Sequence, residues 1–511
     1  MARLGSSDSV IGMKMGPTHF FIAALCLVCC DIASAGSFDP VKVDLLVGQA
    51  LRAWQVPGCA VAIVRDGRVI YLKGFGARER GRPEPVTPDT IFPIGSCTKA
   101  FTTTAMAMLV DEGKMAWDDP VRKHLSYFHL YDPLADGDVR LRDLVTHRTG
   151  LASHDFLWYR SPLTPEERVR RLRLLRPEWP FRSHFQYQTT MFTAAGLAVA
   201  HAAGSPWGEV MRRRLFKPLG MTRTSLTTDA AQKDPDHASP HLQVGPGQIK
   251  VMPWYPIHSP EPAGSINSTA RDLSRWVLFQ LSGSVHEKRL VSRKNLEETH
   301  TPQMVIPLDG KERGMHPYTV QMSYGMAWVI QDYRGQLLVS HAGAIDGFRA
   351  HLTLLPRARI GIVLLNNLNQ TQMNLALSNT LVDLLLALPH KDWNSYLKGQ
   401  VRQQEADAQA RLAHLAKQRH PNTHPTHDLA AYTGTYENPA YDTCRVTVQD
   451  GSLVWQWHGF TCPLHHFEYD TFIMRLGWFG EARVIFHLNW TGKVQDLKVL
   501  DPMDVDFRKH Q

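Results

Sequence analysis

The stretch Phe92-Pro93-Ile94-Gly95-Ser96-Cys97-Thr98-Lys99-Ala100-Phe101 opens an apolar run that reaches Val110, and its reading decides the fold. Ile91 to Ile94 reads as the end of an extended segment, Gly95 as a turn and Ser96 as the start of a helix. Alanine, methionine and leucine dominate from Thr102 to Val110, which favours helix by intrinsic propensity. Ser96 and Lys99 lie one helical turn apart, so their side chains leave the same face. A serine hydroxyl is a poor nucleophile until a neighbouring base removes its proton, and an amine of lowered pKa can be that base. A helix start also leaves backbone N–H groups unpaired, which makes the Ser96 amide a candidate donor to an oxyanion. The spacing alone carries little weight. Ser395-Tyr396-Leu397-Lys398 repeats it, followed at once by Gly399, and reads as lacking both the strand-turn-helix entry and an apolar helix behind it.

Working outward, a chain of 511 residues exceeds one ordinary core and implies two or more domains. Hydrophobic content of 43% with 20% charged residues fits a globular protein. Lys14 precedes the apolar run Phe20 to Cys29, which ends near Ala33-Ser34-Ala35. That is the layout of a secretory signal peptide cleaved after Ala35, so the expected location is periplasmic or secreted. Met13 or Met15 would serve as an alternative start. The run is too short for a stable membrane span. Beyond it Cys59, Cys97, Cys444 and Cys462 remain, and an oxidising compartment would permit a bond between Cys444 and Cys462, read as lying in neighbouring strands. The net charge of +8 carries no basic block with interleaved aromatics, which excludes nucleic acid as an expected partner. A mildly basic exported protein suits an anionic envelope polymer.

Asp44 to Trp54 reads as an amphipathic helix. Cys59 to Val64 and Val69 to Leu72 read as strands joined across Asp66-Gly67, a hairpin signal. Further strands are expected at Leu337 to His341, Phe348 to Leu355 and Ile360 to Asn366, before an apolar helix from Thr371 to Leu388. Arg402 to Arg419 reads as a solvated helix, and His420-Pro421-Asn422-Thr423-His424-Pro425 as a linker. The histidines at 420, 424 and 427 read as solvated rather than as metal ligands, because no second cluster has ligand spacing. Tyr432 to Phe507 alternates short β-rich runs with turns such as Asp450-Gly451, an all-β pattern.

Several stretches together resemble the serine β-lactamase and penicillin-binding-protein superfamily, specifically its class C-like hydrolases of peptidase family S12. They are Ser96-Cys97-Thr98-Lys99, Asp118-Asp119-Pro120-Val121, Leu141 to His147, Phe185-Gln186-Tyr187, Phe216 to Met221, Ala263-Gly264-Ser265 and His341-Ala342-Gly343. The resemblance runs from about Asp39 to Leu388. Tyr432 to Tyr436 and His466 to Phe472 resemble the lipocalin-like barrel appended to some of these hydrolases, where it supports oligomerisation in an archaeal peptidase. The fold implied is α/β of the α+β type: an antiparallel sheet flanked by helices with a helical subdomain, then a small closed barrel. The implied division is a leader at 1–35, a hydrolase domain at 36–398, a charged helix and linker at 399–427 and the barrel at 428–511.

The resemblance assigns roles residue by residue. Ser96 would be the acylated nucleophile, Lys99 its base and Tyr187 the proton carrier to the leaving group, while His341 opens the third motif. A tyrosine serves near neutral pH only if cations such as Lys99 stabilise its phenolate. Ala344, beside Gly343, would add the second oxyanion N–H to that of Ser96. Thr189 stands where the family's second motif has asparagine, so a contact to the substrate acyl amide is weakened. His341 and Ala342 replace the lysine and threonine that hold a carboxylate in β-lactamases. These departures favour an ester, or a peptide-like amide recognised from the other side, over a β-lactam or a free peptide C-terminus. No metal or organic cofactor is implied. The expected partners are a small-molecule or peptide-like substrate and, through the barrel, copies of the chain itself. The alternative reading is a penicillin-binding sensor that acylates slowly or only binds.

Overall fold

The hairpin expected across Asp66-Gly67 begins the main sheet. Gly58–Arg65 and Arg68–Gly76 pair antiparallel, and Asp66 (φ 51°) and Gly67 (φ 79°) both take the left-handed conformation that a two-residue hairpin turn requires. The computed structural model describes residues 38–245 and 247–510, so the leader read at 1–35 lies outside the described residues. From the hairpin the sheet continues through Ile360–Asn366, Phe348–Leu355, Gln336–Ile345, Val329–Tyr333, Met322–Tyr324 and Met304–Val305, every neighbouring pair antiparallel. Ile360–Asn366 is buried at every residue, as expected for a central strand covered on both faces.

The strand Gln336–Ile345, here the motif strand, positions the site. Its ladder with Val329–Tyr333 ends at Ser340 paired with Val329, while its ladder with Phe348–Leu355 runs on to Ile345. Residues His341 to Ile345 therefore pass the catalytic region with one edge free of strand pairing among the described residues.

The run after Ser96 forms the helix Thr98–Asp111, buried at every residue from Thr98 to Leu109. A helix buried all round belongs in a core, and this one packs on the helix Thr189–Ala203 of the helical subdomain. Phe101 stacks on Trp276 with ring centroids 3.6 Å apart and meets the edge of Phe216 at 6.0 Å. Its buried hydroxyls are satisfied. Thr102 donates to the Pro262 carbonyl at 2.7 Å and accepts from Trp207 Nε1 at 3.1 Å, and Thr104 accepts from Gln280 at 3.0 Å. Truncating Phe101 to alanine would cost about 3–5 kcal/mol on general grounds.

The charged helix is longer than its sequence suggests, spanning Trp393–Gln418. Its first turns dock on the hydrolase domain: Trp393 Nε1 donates to Asp383 at 2.8 Å and Lys398 Nζ to the Ala53 carbonyl at 2.9 Å. The second Ser-x-x-Lys stretch lies in the first turns of this helix, which is polar and has only Trp393 and Leu397 buried. Its serine closes the first turn by donating to Asp392 at 2.6 Å, and its lysine points elsewhere.

Eight strands from Gly434–Asn438 to Val505–Lys509 close a barrel, the ends joining where Tyr436 pairs with Lys509. Its interior is packed with rings: Phe486 lies 5.0 Å from Tyr432, 5.6 Å from Phe472 and 6.0 Å from Tyr436. The expected bond between Cys444 and Cys462 is absent; both thiols are free and buried. They are not on neighbouring strands, because Ser452–Trp457 pairs with both of theirs and stands between them. Two strand spacings amount to about 10 Å, beyond the reach of a disulfide.

The barrel packs on the segment His154 to Arg160 of the hydrolase domain. His154 Nδ1 and the Tyr441 hydroxyl are hydrogen-bonded at 2.7 Å, Phe156 faces Phe479 at 4.9 Å, and Arg171 pairs with Asp442 at 2.6 Å.

Candidate active site

Gly95 is the turn that the sequence implies, with φ 49°. A Cβ there would lie 2.6 Å from the Ala344 carbonyl oxygen and 2.7 Å from its nitrogen, so only glycine lets the motif strand approach this closely. Gly343 is the reciprocal case, since its Cβ would fall 1.8 Å from the Ile94 oxygen. The Cys97 thiol adds a hydrogen bond to the His341 carbonyl at 3.3 Å. Ser96 sits in the 3-10 turn Gly95–Cys97 that feeds the helix, half-buried and facing the cleft. Its amide and that of Ala344 are thus held on either side of this close contact.

Lys99 Nζ lies 2.9 Å from Ser96 Oγ and donates to the Ala263 carbonyl at 3.1 Å. It also sits 4.9 Å from the Tyr187 ring centroid and 5.5 Å from that of Phe192. Among the described residues no carboxylate pairs with it directly. Burial therefore lowers its pKa to about 7, with the Asp155 charge pulling the other way. An ammonium has become an amine available near neutral pH.

Tyr187 enters from the opposite wall, just ahead of the helix Thr189–Ala203. Gln188 caps that helix by accepting from the Thr190 amide at 2.7 Å, and its own amide donates to His147 Nδ1 at 3.0 Å. The middle residue of the second motif is therefore structural and fixes its neighbour. Burial pushes the Tyr187 hydroxyl well above the usual phenol range, and a hydrogen bond with Ser96 opposes this. It is a neutral phenol at rest.

His341 faces the same cleft. Its Nδ1 lies 2.6 Å from the Ala342 carbonyl oxygen, which can only accept, so the proton is on Nδ1 and Nε2 accepts from the Tyr324 hydroxyl at 2.9 Å. Burial pushes its pKa down to about 3, with a further push from Lys99. Both ring nitrogens are engaged and the ring is neutral. His147 lies 4.1 Å from Tyr187 and 4.6 Å from Tyr324 between ring centroids, and burial lowers its pKa as well.

The cleft extends from Ser96 in several directions. On the His341 side it opens into a volume of about 790 Å³ bounded by Tyr324, Met322 and Leu338. On the Lys99 side a second volume of about 400 Å³ is bounded by Trp158, Leu163 and Ile257. Between them lies a small recess of about 190 Å³ that Thr189 and Ala344 line with Ser96. All the residues expected at the site thus border one cleft. Three contributors were not foreseen. Tyr324 comes from a three-residue strand, Asp155 from the barrel-contacting segment, and Arg349 from the strand position facing Ala344. Asp155 accepts from Trp158 Nε1 at 2.8 Å and lies 3.5 Å from the Thr189 hydroxyl. Arg349 donates to the Phe348 carbonyl at 2.8 Å, and burial brings its pKa down to about 10, still above neutral pH.

A free strand edge, a helix start and a lysine converging on one serine define the architecture of the serine β-lactamases and penicillin-binding proteins. Comparison with known proteins agrees. Residues 43–387 match the family model described as Beta-lactamase, and residues 418–511 match one described as a domain of unknown function, DUF3471. The chain belongs to the serine β-lactamase and penicillin-binding-protein superfamily. An unguisins hydrolase of Aspergillus campestris is 30% identical over 430 residues, which are 79% of this chain and 77% of that one. The octameric penicillin-binding protein homologue from Pyrococcus abyssi shares the fold with a TM-score of 0.62 at 22% identity, over 92% of this chain and 100% of its own. A D-amino acid amidase from Ochrobactrum anthropi does so with a TM-score of 0.55 at 22% identity, over 68% and 98%.

Proposed function

We propose that the protein is an exported serine hydrolase that cleaves an ester or a peptide-like amide through an acyl-enzyme on Ser96. The observation that carries this reading is the 2.9 Å contact between Ser96 Oγ and a Lys99 amine whose pKa lies at about 7. Neutral Lys99 takes the Ser96 proton as Oγ attacks the carbonyl carbon. The Ser96 and Ala344 amides receive the oxyanion that forms. Tyr187, beside Ser96 and with its ring 4.9 Å from Lys99 Nζ, passes a proton to the leaving alcohol or amine, and the proton that Lys99 took from Ser96 replaces it. Water then gives up a proton to the same pair as its oxygen bonds to the acyl carbon, the bond to Ser96 Oγ breaks, and Oγ takes the proton back as the acid leaves.

The 30% identity to an unguisins hydrolase supports hydrolysis as the reaction class. The neutral, doubly hydrogen-bonded His341 and the methyl of Ala342 support substrates without a carboxylate at that side of the cleft. Export rests on the Phe20 to Cys29 run and the Ala33-Ser34-Ala35 site. The test is labelling of the purified mature protein with a fluorophosphonate probe, followed by a panel of p-nitrophenyl esters and amino-acid amides. Labelling with turnover of at least one panel member is expected. Absence of both would reject the hydrolase reading in favour of a binding protein.

A further inference from the structure

We propose that the small recess beside Ser96 is a binding site for a primary ammonium on the acyl side of the substrate, with Asp155 as its counter-ion. The proposal rests on the hydrolase reading above and narrows it to acyl groups that carry a free amine.

The recess of about 190 Å³ is walled by the rings of Trp158, Tyr159, Tyr187 and Phe479, with Ser96 at its mouth. Aromatic faces attract a cation through their quadrupole, and the attraction grows as water is removed. Asp155 supplies the charge. Its Oδ1 takes both of its hydrogen bonds, from Trp158 Nε1 at 2.8 Å and Thr189 at 3.5 Å, and Oδ2 takes none among the described residues. The carboxylate is half-buried and takes hydrogen bonds from neutral donors only; Lys99 feels its charge but does not hydrogen-bond to it, so among the described residues no cation is bonded to Asp155.

The other charges facing the recess do not cancel this. Arg349 lies beside the Asp346 carboxylate, which raises its pKa, and it donates to the Ile345 and Phe348 carbonyls. Asp346 in turn accepts from the Tyr159 hydroxyl at 2.6 Å. Arg349 and Asp346 offset one another and leave Asp155 in excess. The threonine at position 189 fits the same logic. An asparagine could turn its amide oxygen or its NH₂ toward the substrate, whereas the threonine hydroxyl can donate to Asp155 and orient the carboxylate. A volume of this size accepts an ammonium with a small side chain, and discrimination against an N-acylated amine comes from the loss of its charge opposite Asp155.

The test compares free and N-acetylated alanine p-nitroanilides, in both configurations, on the wild type, Asp155→Asn and Asp155→Glu. The readout is the ratio of kcat/KM for the free over the acetylated amine. The wild type should favour the free amine of at least one configuration by ten-fold or more. Asp155→Asn should lower that ratio at least ten-fold, mostly through KM, and Asp155→Glu should restore part of it. Competitive inhibition of the wild type by free rather than acetylated alanine amide gives the same answer without a variant. A wild type that prefers the acetylated amine, or an Asp155→Asn ratio unchanged from wild type, would overturn the proposal. Fluorophosphonate labelling of Ser96 separates the two levels: labelled protein without amine preference rejects only the ammonium site, whereas unlabelled protein rejects the hydrolase.

Discussion

His154 of the hydrolase domain and Tyr441 of the barrel are hydrogen-bonded at 2.7 Å, and His154 holds a left-handed backbone conformation at φ 47° to make this contact. The next residue is Asp155, whose carboxylate borders the recess at Ser96. One peptide step thus links the barrel to the catalytic cleft.

Tyr441→Phe removes this hydrogen bond while keeping the ring. One neutral hydrogen bond contributes about 0.5–1.5 kcal/mol, so the loss should shift KM for free-amine substrates by roughly two- to ten-fold. The kcat for a neutral p-nitrophenyl ester should change less than that KM. Steady-state kinetics on the two substrate types checks this, and equal loss in both would mean that the contact serves stability alone.

Lys99 sets the pH dependence. A base must be neutral to accept the Ser96 proton, and burial has brought its pKa down to about 7. The kcat/KM should therefore fall as pH drops through about 7 and level off above it. Asp155 favours the charged form of Lys99, so Asp155→Asn should move that acidic limb to lower pH. The groups around Lys99 that could compete are Tyr187, His341 and His147. Burial leaves all of them neutral near pH 7, so a single limb is expected. A profile flat across this range would exclude Lys99 as the base.

The four thiols Cys59, Cys97, Cys444 and Cys462 are free and buried. Burial raises the pKa of Cys59, Cys97 and Cys444 to about 12, so iodoacetamide should modify them slowly in the native protein. After unfolding without reductant all four should alkylate. Mass spectrometry of the intact mature protein reads this out, and a Cys444–Cys462 crosslink would contradict the strand order.

The third motif offers no fixed cation, since His341 is neutral with both nitrogens engaged. Benzylpenicillin should be a poor substrate beside a short-chain p-nitrophenyl ester. His341→Lys with Ala342→Thr should raise the penicillin-to-ester ratio of kcat/KM. A charge-assisted hydrogen bond contributes about 1.5–3 kcal/mol, roughly ten- to hundred-fold. Adding Thr189→Asn to the pair tests whether the second motif limits the gain. An unmoved ratio would show that specificity is set elsewhere.

Periodicity and punctuation carried much of this fold in plain view. Gly95 and Gly343 mark a close backbone approach, the Asp66-Gly67 turn marks the hairpin, and the alanine-, methionine- and leucine-rich run from Thr102 to Val110 marks a helix, buried on all sides from Thr98 to Leu109. Ser96 and Lys99 stand out through the strand-turn-helix context, whereas Tyr187 is locally one aromatic among many and was read only through the family resemblance; all three border the cleft. Asp155, Tyr324 and Arg349 were not legible, because nothing near them in sequence distinguishes them from any loop acid or strand residue. They reach the cleft only through tertiary packing. The cysteine pairing failed for a related reason. The run Leu453 to Trp457 inserts a strand between the two thiols, and register across a barrel is not written in cysteine spacing.

The central claim, a covalent acyl-enzyme on Ser96, is tested most directly by rapid acid quench during turnover of an activated ester, with intact-mass and peptide mapping of the protein. The account predicts a mass increase equal to one acyl group on the peptide that contains Ser96, absent in Ser96→Ala and retained in Ser395→Ala. Adduct mapped to Ser395, or turnover undiminished in Ser96→Ala, would contradict it.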